Sequence, residues 1–110
     1  MNKYMISILY GTGKDATHPE DDEFVMNKYQ EWSEKMGQRI VTAHKLTDKE
    51  GRTLTGGKTI TDGPFAETKE SIGGFYVIEA ESYDEAVKYA RECPSLVYQG
   101  CTVEVRRVEF

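Results

Sequence analysis

Asp62 is the residue whose neighbours best prepare it for chemistry. It stands in the run Thr61-Asp62-Gly63-Pro64-Phe65-Ala66-Glu67-Thr68-Lys69-Glu70, just ahead of the apolar stretch Gly73-Gly74-Phe75-Tyr76-Val77-Ile78. An Asp-Gly-Pro sequence predicts a turn: the carboxylate can accept a hydrogen bond from backbone two residues on, glycine tolerates positive φ, and proline fixes its own φ. A carboxylate held by such a turn at the edge of an apolar cleft has a raised pKa and can move protons near neutrality. The same side chain can instead cap its own turn, and the two roles are compatible. His44 is the second candidate, because imidazole titrates in the range that proton transfer needs, although a lone histidine on an edge strand also serves as surface or packing. Glu67 and Lys69 can bind a polar ligand group or form an ordinary solvated loop. Tyr29, Trp32, Pro64, Phe65 and Tyr76 can wall an apolar cleft beside them or fill the core.

Several other chemistries lack their residues. The chain contains no Ser-His-Asp arrangement, no glycine-rich dinucleotide or phosphate loop and no calcium-binding loop, which removes the usual hydrolase, nucleotide and calcium readings. Its two cysteines, Cys93 and Cys101, lack CxxC spacing and a nearby histidine pair, so they read as packed reduced thiols rather than zinc ligands. No histidine falls on a helical stretch where it could be a haem ligand, and no cofactor or metal is expected. The net charge is -5, and no basic cluster is longer than Arg106-Arg107. Neither a phosphate backbone nor an anionic membrane is then a natural partner. The apolar opening, Met1 to Tyr10, is too short to span a bilayer and has no small-residue cleavage site. It reads as a strand, and the expected location is cytoplasmic.

The elements that must position these residues follow from periodicity. With 110 residues, 38% of them hydrophobic, and ten glycines, the chain suits one domain, 1–110, with a single core. Tyr4 to Tyr10 is apolar on both faces, which predicts a strand buried on both sides. Pro19 and the acidic run Glu20 to Glu23 suit a helix start. The helix carries an apolar stripe of Val25, Tyr29, Trp32 and Met36 and ends at Gly37. Arg39 to Leu46 alternates as a more polar strand. Thr53 to Thr55 and Lys58 to Thr61 flank Gly56-Gly57, the pattern of a two-residue hairpin. Gly74 to Ala80 is a third main strand. Ser82 to Glu85 forms a capping box for a second helix, with Tyr83, Ala86, Val87, Ala90 and Cys93 as its buried stripe and Pro94 as its end. Cys101 to Phe110 is the last strand.

This β-α-β-β-α-β order predicts an α+β, ferredoxin-like fold with an extra hairpin, in which the first and third main strands are central. Those two strands are also the most apolar, and two helices cover only one face of a sheet. A second copy of the sheet is the simplest cover for the other face, so a homodimer is expected.

The Asp62 to Lys69 run, the opening Lys3-Tyr4-Met5, Met36-Gly37 and the closing Val103-Glu104-Val105-Arg106 together resemble the DGPF-domain proteins, the YCII-related family. The resemblance implies a dimeric α/β barrel and a small organic molecule bound between sheet and helices near the Asp62 turn. It also implies an aspartate at position 62 paired with a histidine of the first helix. Residues 20 to 36 contain no histidine, which leaves His44 as the substitute. Two functions fit: cofactor-free acid–base chemistry with Asp62 as proton carrier, or a non-catalytic ligand-binding or regulatory module, in keeping with relatives found beside sigma-factor genes.

Overall fold

A computed structural model of the chain describes residues 1–11, 23–47, 50–56, 59–62 and 70–110. Strand β1 (Asn2–Gly11) is followed by helix α1 (Glu23–Met36), a 3-10 turn (Gly37–Arg39) and strand β2 (Ile40–Lys45). Strands β3 (Arg52–Thr55) and β4 (Thr59–Asp62) come next, then β5 (Glu70–Ala80), α2 (Tyr83–Ala90), a second 3-10 turn (Pro94–Val97) and β6 (Thr102–Arg107). The main sheet has the order β2-β5-β1-β6, antiparallel throughout, and β3 pairs with β4 in a separate two-stranded sheet. This is the ferredoxin-like arrangement with its extra hairpin.

The helices cover one face of the sheet because their apolar stripes match the alternation of the central strands. Tyr4, Ile6, Ile8 and Tyr10 of β1 pack with Ile78 and Ala80 of β5, Trp32 and Met36 of α1, and Ala86 and Ala90 of α2 in one buried cluster. Local chemistry fixes the helix ends. Ser82 Oγ caps the helix by accepting from the Glu85 amide at 3.1 Å, and the Glu85 carboxylate reaches one residue past the cap to accept from the Glu81 amide at 3.1 Å. Glu85 also pairs with Arg39 at 3.1 Å, tying α2 to the chain just before β2. Gly37 ends α1 with φ of 54°, a left-handed conformation that glycine takes without strain.

Four sequence expectations shift. β5 begins at Glu70, so the third main strand is longer than Gly74 to Ala80. Asp62 is the last residue of β4 rather than part of the turn itself. The last hairpin pair is Thr55 with Thr59, one residue wider than a two-residue connection around Gly56-Gly57. Tyr83, placed in the buried stripe of α2 by its spacing, is 48% exposed. Its ring edge lies on Tyr4 with centroids 4.9 Å apart, and its hydroxyl accepts from the Arg107 amide at 2.9 Å. A phenol can cover a core residue and keep its polar end in water, which a simple apolar stripe does not anticipate.

Candidate functional site

A cleft of about 190 Å³ opens between α1 and the β1, β5 and β2 side of the sheet. Its position follows from side-chain size along β2 and β5. Where α1 brings Met26 and Tyr29 over the sheet, the strands answer with Ala43, Gly73 and Gly74, too small to fill the space. Ile8 and Tyr76 complete the apolar floor, and Tyr10 closes one end.

A β-bulge makes the Tyr10 end. Ile8 is opposite Gly74 and Leu9 opposite Ile72, so Gly73 is an extra residue in β5. A Cβ on Gly73 would lie 2.0 Å from Cε2 of Tyr10, well inside contact distance. Only glycine there lets the Tyr10 ring lie against the strand. The bulge carbonyl accepts from the Leu46 amide at 2.9 Å, which fixes β2 beside it.

His44 and Lys45 reach the cleft from β2, and its remaining side-chain polar groups are hydroxyls. Tyr29 Oη bonds Ser95 Oγ and lies 3.4 Å from Cys93 Sγ, and Tyr10 Oη lies 3.3 Å from the same Ser95 Oγ. Ser95 is fully buried on the Pro94–Val97 turn. Tyr76 Oη bonds Ser33 Oγ of α1 at 2.9 Å. Burial pushes the Tyr29 and Tyr76 phenols and the Cys93 thiol above their ordinary values, with Cys93 adding to the shift at Tyr29. At neutral pH all three are therefore protonated, able to give and take hydrogen bonds but not to act as bases or thiolate nucleophiles.

The expected site residues do not all meet. Tyr29 and Tyr76 line the cleft together. Trp32 stands behind them, 4% exposed, with ring centroids 5.8 Å from Tyr29 and 4.7 Å from Tyr76, and its indole N–H donates to the Tyr89 carbonyl at 2.9 Å. His44 touches the cleft rim from β2. It pairs with Phe75, its Nε2 lies 2.9 Å from Thr42 Oγ1, and its ring is tilted by 50° against that of Phe75 with centroids 5.6 Å apart. Strand alternation sets Thr42, His44 and Phe75 on the sheet face opposite Ala43 and Tyr76. Asp62 closes β4 in backbone register with Arg52. Pro64, Phe65, Glu67 and Lys69 lie outside the described residues. The run that contains them leads into β5 at Glu70, opposite Gly11 and three residues before the bulge.

Sequence reasoning missed Tyr10, Ser33 and Ser95, and placed Cys93 in the core without its Tyr29 partner. Tyr10 reads as the end of a core strand, and only the paired glycines at 73 and 74 hint that a ring lies over backbone. Ser95 carries no local signal, because its partners are 85 and 66 positions away.

No helix among the described residues is long and apolar enough to cross a membrane. No disulfide joins Cys93 and Cys101. The family model of the YCII-related domain matches residues 5–110. An uncharacterized protein, R00369, of Rhizobium meliloti (strain 1021) is 38% identical over 110 residues, an alignment that covers 96% of this chain and 84% of the relative.

Proposed function

The chain belongs to the YCII-related family, and on that premise we propose that it binds a small organic molecule in the cleft beside α1 and acts on it by cofactor-free proton transfer through Asp62. The observation that carries the binding is the contrast within the cleft. Ile8, Met26 and Ala43 supply an apolar wall, whereas the Tyr10 end stands against hydroxyls held by the buried Ser95. A molecule with an apolar body and one hydrogen-bonding group fits that division.

Burial keeps Tyr29, Tyr76 and Cys93 protonated at neutral pH, so the base must be another group. Asp62 ends β4 and is followed, after residues 63–69, by β5, whose Gly73 and Gly74 line the cleft, and this nearness in sequence supports its assignment as the proton carrier. Of the other candidates, Lys69 and Glu67 belong to the same connection, and His44 would act from the rim. The protonated state of Tyr29, Tyr76 and Cys93 also supports a second reading, a ligand-binding or regulatory module without chemistry.

The apolar residues on the sheet face away from the helices support a homodimer. The lack of a disulfide between Cys93 and Cys101 suits a reducing compartment, and the cytoplasm is the location this favours.

Native mass spectrometry of protein purified from its expressing cell, followed by identification of the released molecule, tests the binding. Tyr29→Phe removes a cleft hydroxyl and is expected to weaken that ligand about fivefold to tenfold. Asp62→Asn separates the two readings: it abolishes turnover of the identified ligand if Asp62 is the proton carrier, and leaves binding unchanged with no turnover to lose if the protein only binds.

A further inference from the structure

The other flank of α1 faces a larger groove, of about 590 Å³, bounded on its far side by the stretch from Arg91 to Val97. Val25, Trp32 and Cys93 form its buried floor, Lys28 Nζ stands 5.3 Å over the Phe24 ring on the α1 side, and the far rim is open, with Leu96 42% and Val97 78% exposed. Side chains of this size are seldom left together in water unless something covers them.

Charge chooses the occupant. Three cations line the groove, Lys28, Lys35 and Arg91, against two carboxylates. Lys28 pairs with Glu31 at 3.2 Å and Lys35 pairs with Glu92, whereas the Arg91 guanidinium has no ion pair among the described residues. A chain of net charge -5 thus keeps one uncompensated cation beside an exposed apolar strip. The volume lies in the range of about 300–1,000 Å³ that small-molecule sites occupy.

We propose that this groove is a second binding site, distinct from the cleft beside the sheet, for an amphiphilic monoanion: an aliphatic chain lying along Phe24, Leu96 and Val97 with its carboxylate on Arg91. An exposed guanidinium–carboxylate pair is weak on its own, so the chain supplies most of the affinity and Arg91 supplies the preference for negative charge. Each further methylene that the groove covers raises affinity about fourfold.

Trp32 is the only tryptophan of the chain and lines the groove, so its fluorescence reports occupancy directly. Titration with sodium octanoate, sodium decanoate, decan-1-ol and decyltrimethylammonium is expected to show decanoate binding more tightly than octanoate and at least about fivefold more tightly than the cationic amphiphile. Arg91→Gln should erase the charge preference while leaving decan-1-ol unaffected, and Val97→Ser should weaken all four. Trp32 also touches Tyr29 and Tyr76, so a variant that fills the cleft separates the two sites: Ala43→Leu should leave decanoate affinity unchanged. The proposal is overturned if anion and cation bind alike, if Arg91→Gln leaves decanoate affinity intact, or if Ala43→Leu abolishes it.

Discussion

Ser95 Oγ meets phenols from two different elements, Tyr10 of β1 and Tyr29 of α1, and so sets where the polar end of the cleft lies. Sharing one buried acceptor and donor keeps each hydroxyl satisfied away from water, which an isolated buried phenol would not be. Burial then holds Tyr29 and Tyr76 above the ordinary phenol value of 10.0 and Cys93 above the ordinary thiol value of 9.0. The sign of the pH effect follows from proton counts. Above those ordinary values the unfolded chain has released protons that the folded protein still holds, so the folded state binds more protons and stability falls as pH rises. Below them both states are protonated and these groups add no pH dependence. The melting temperature should therefore change little on account of these groups between about pH 6 and about pH 8 and decline above about pH 9. Tyr29→Phe should lower it at neutral pH, through the lost hydrogen bonds, yet make the alkaline decline shallower. Differential scanning fluorimetry across that range checks this, and an unchanged alkaline slope in the variant would refute the role assigned to Tyr29. At this scale the sequence was half legible. The helical spacing of Tyr29 and Trp32 and the strand position of Tyr76 brought three aromatic residues to one place, because periodicity reports which face a side chain takes. Cys93 was legible as a packed thiol but its Tyr29 partner was not, and Ser95 was silent, since a hydroxyl on a short turn gains its partners only from long-range packing.

The cleft exists because the elements disagree in local width. β5 spends an extra residue at Gly73, and the resulting bulge turns the strand end so that Tyr10 of β1 lies over bare backbone. Gly73→Ala would set a Cβ 2.0 Å from Cε2 and 2.3 Å from Cδ2 of the Tyr10 ring, and the ring must move. Displacing a packed aromatic in this way costs about 1–3 kcal/mol, a fall of roughly 5–15 °C in melting temperature for a domain of this size. It should also weaken the ligand of the cleft, because Tyr10 leaves Ser95. Gly56→Ala is the control: among the described residues nothing beyond its chain neighbours lies within 4 Å of the added Cβ, and it should stay within about 0.5 kcal/mol of the parent. Equal melting temperatures for the two variants would show that the Tyr10 ring moves aside at no cost. The existence and order of the elements were readable because apolar period, capping residues and glycine stops act within a few positions. The bulge and the early start of β5 at Glu70 were not, since they depend on how β1 pairs across the sheet, and Glu70 itself has no strand preference.

Across the whole molecule, the two faces of the main sheet receive different treatment. Tyr4, Ile6 and Ile8 point to the helices and are buried in the single chain, whereas Met5 and Leu9 of β1 with Phe75 and Val77 of β5 point the other way and remain partly exposed. Ser7 on that second face is only 2% exposed, so the strip is already dense around it. Edge residues dilute the strip, with Glu104 opposite Ser7 and Arg106 opposite Met5, as expected for the rim of an interface rather than its centre. An ordinary stable interface removes about 800 Å² from water on each partner, so residues around this strip must join it in any such contact. Sedimentation equilibrium at about 10 μM should return twice the chain mass, a concentration at which such an interface is normally saturated. Val77→Asp is the informative substitution, because Val77 belongs to this strip. Ile8, 3% exposed in the core, would unfold the chain if charged and so tests nothing about association. The Val77→Asp protein should sediment as a monomer or aggregate, with the far-ultraviolet circular dichroism of a folded α+β domain wherever it stays soluble. A parent protein that sediments as a monomer, or a Val77→Asp variant that remains a dimer, would mean that this face is not where two copies meet.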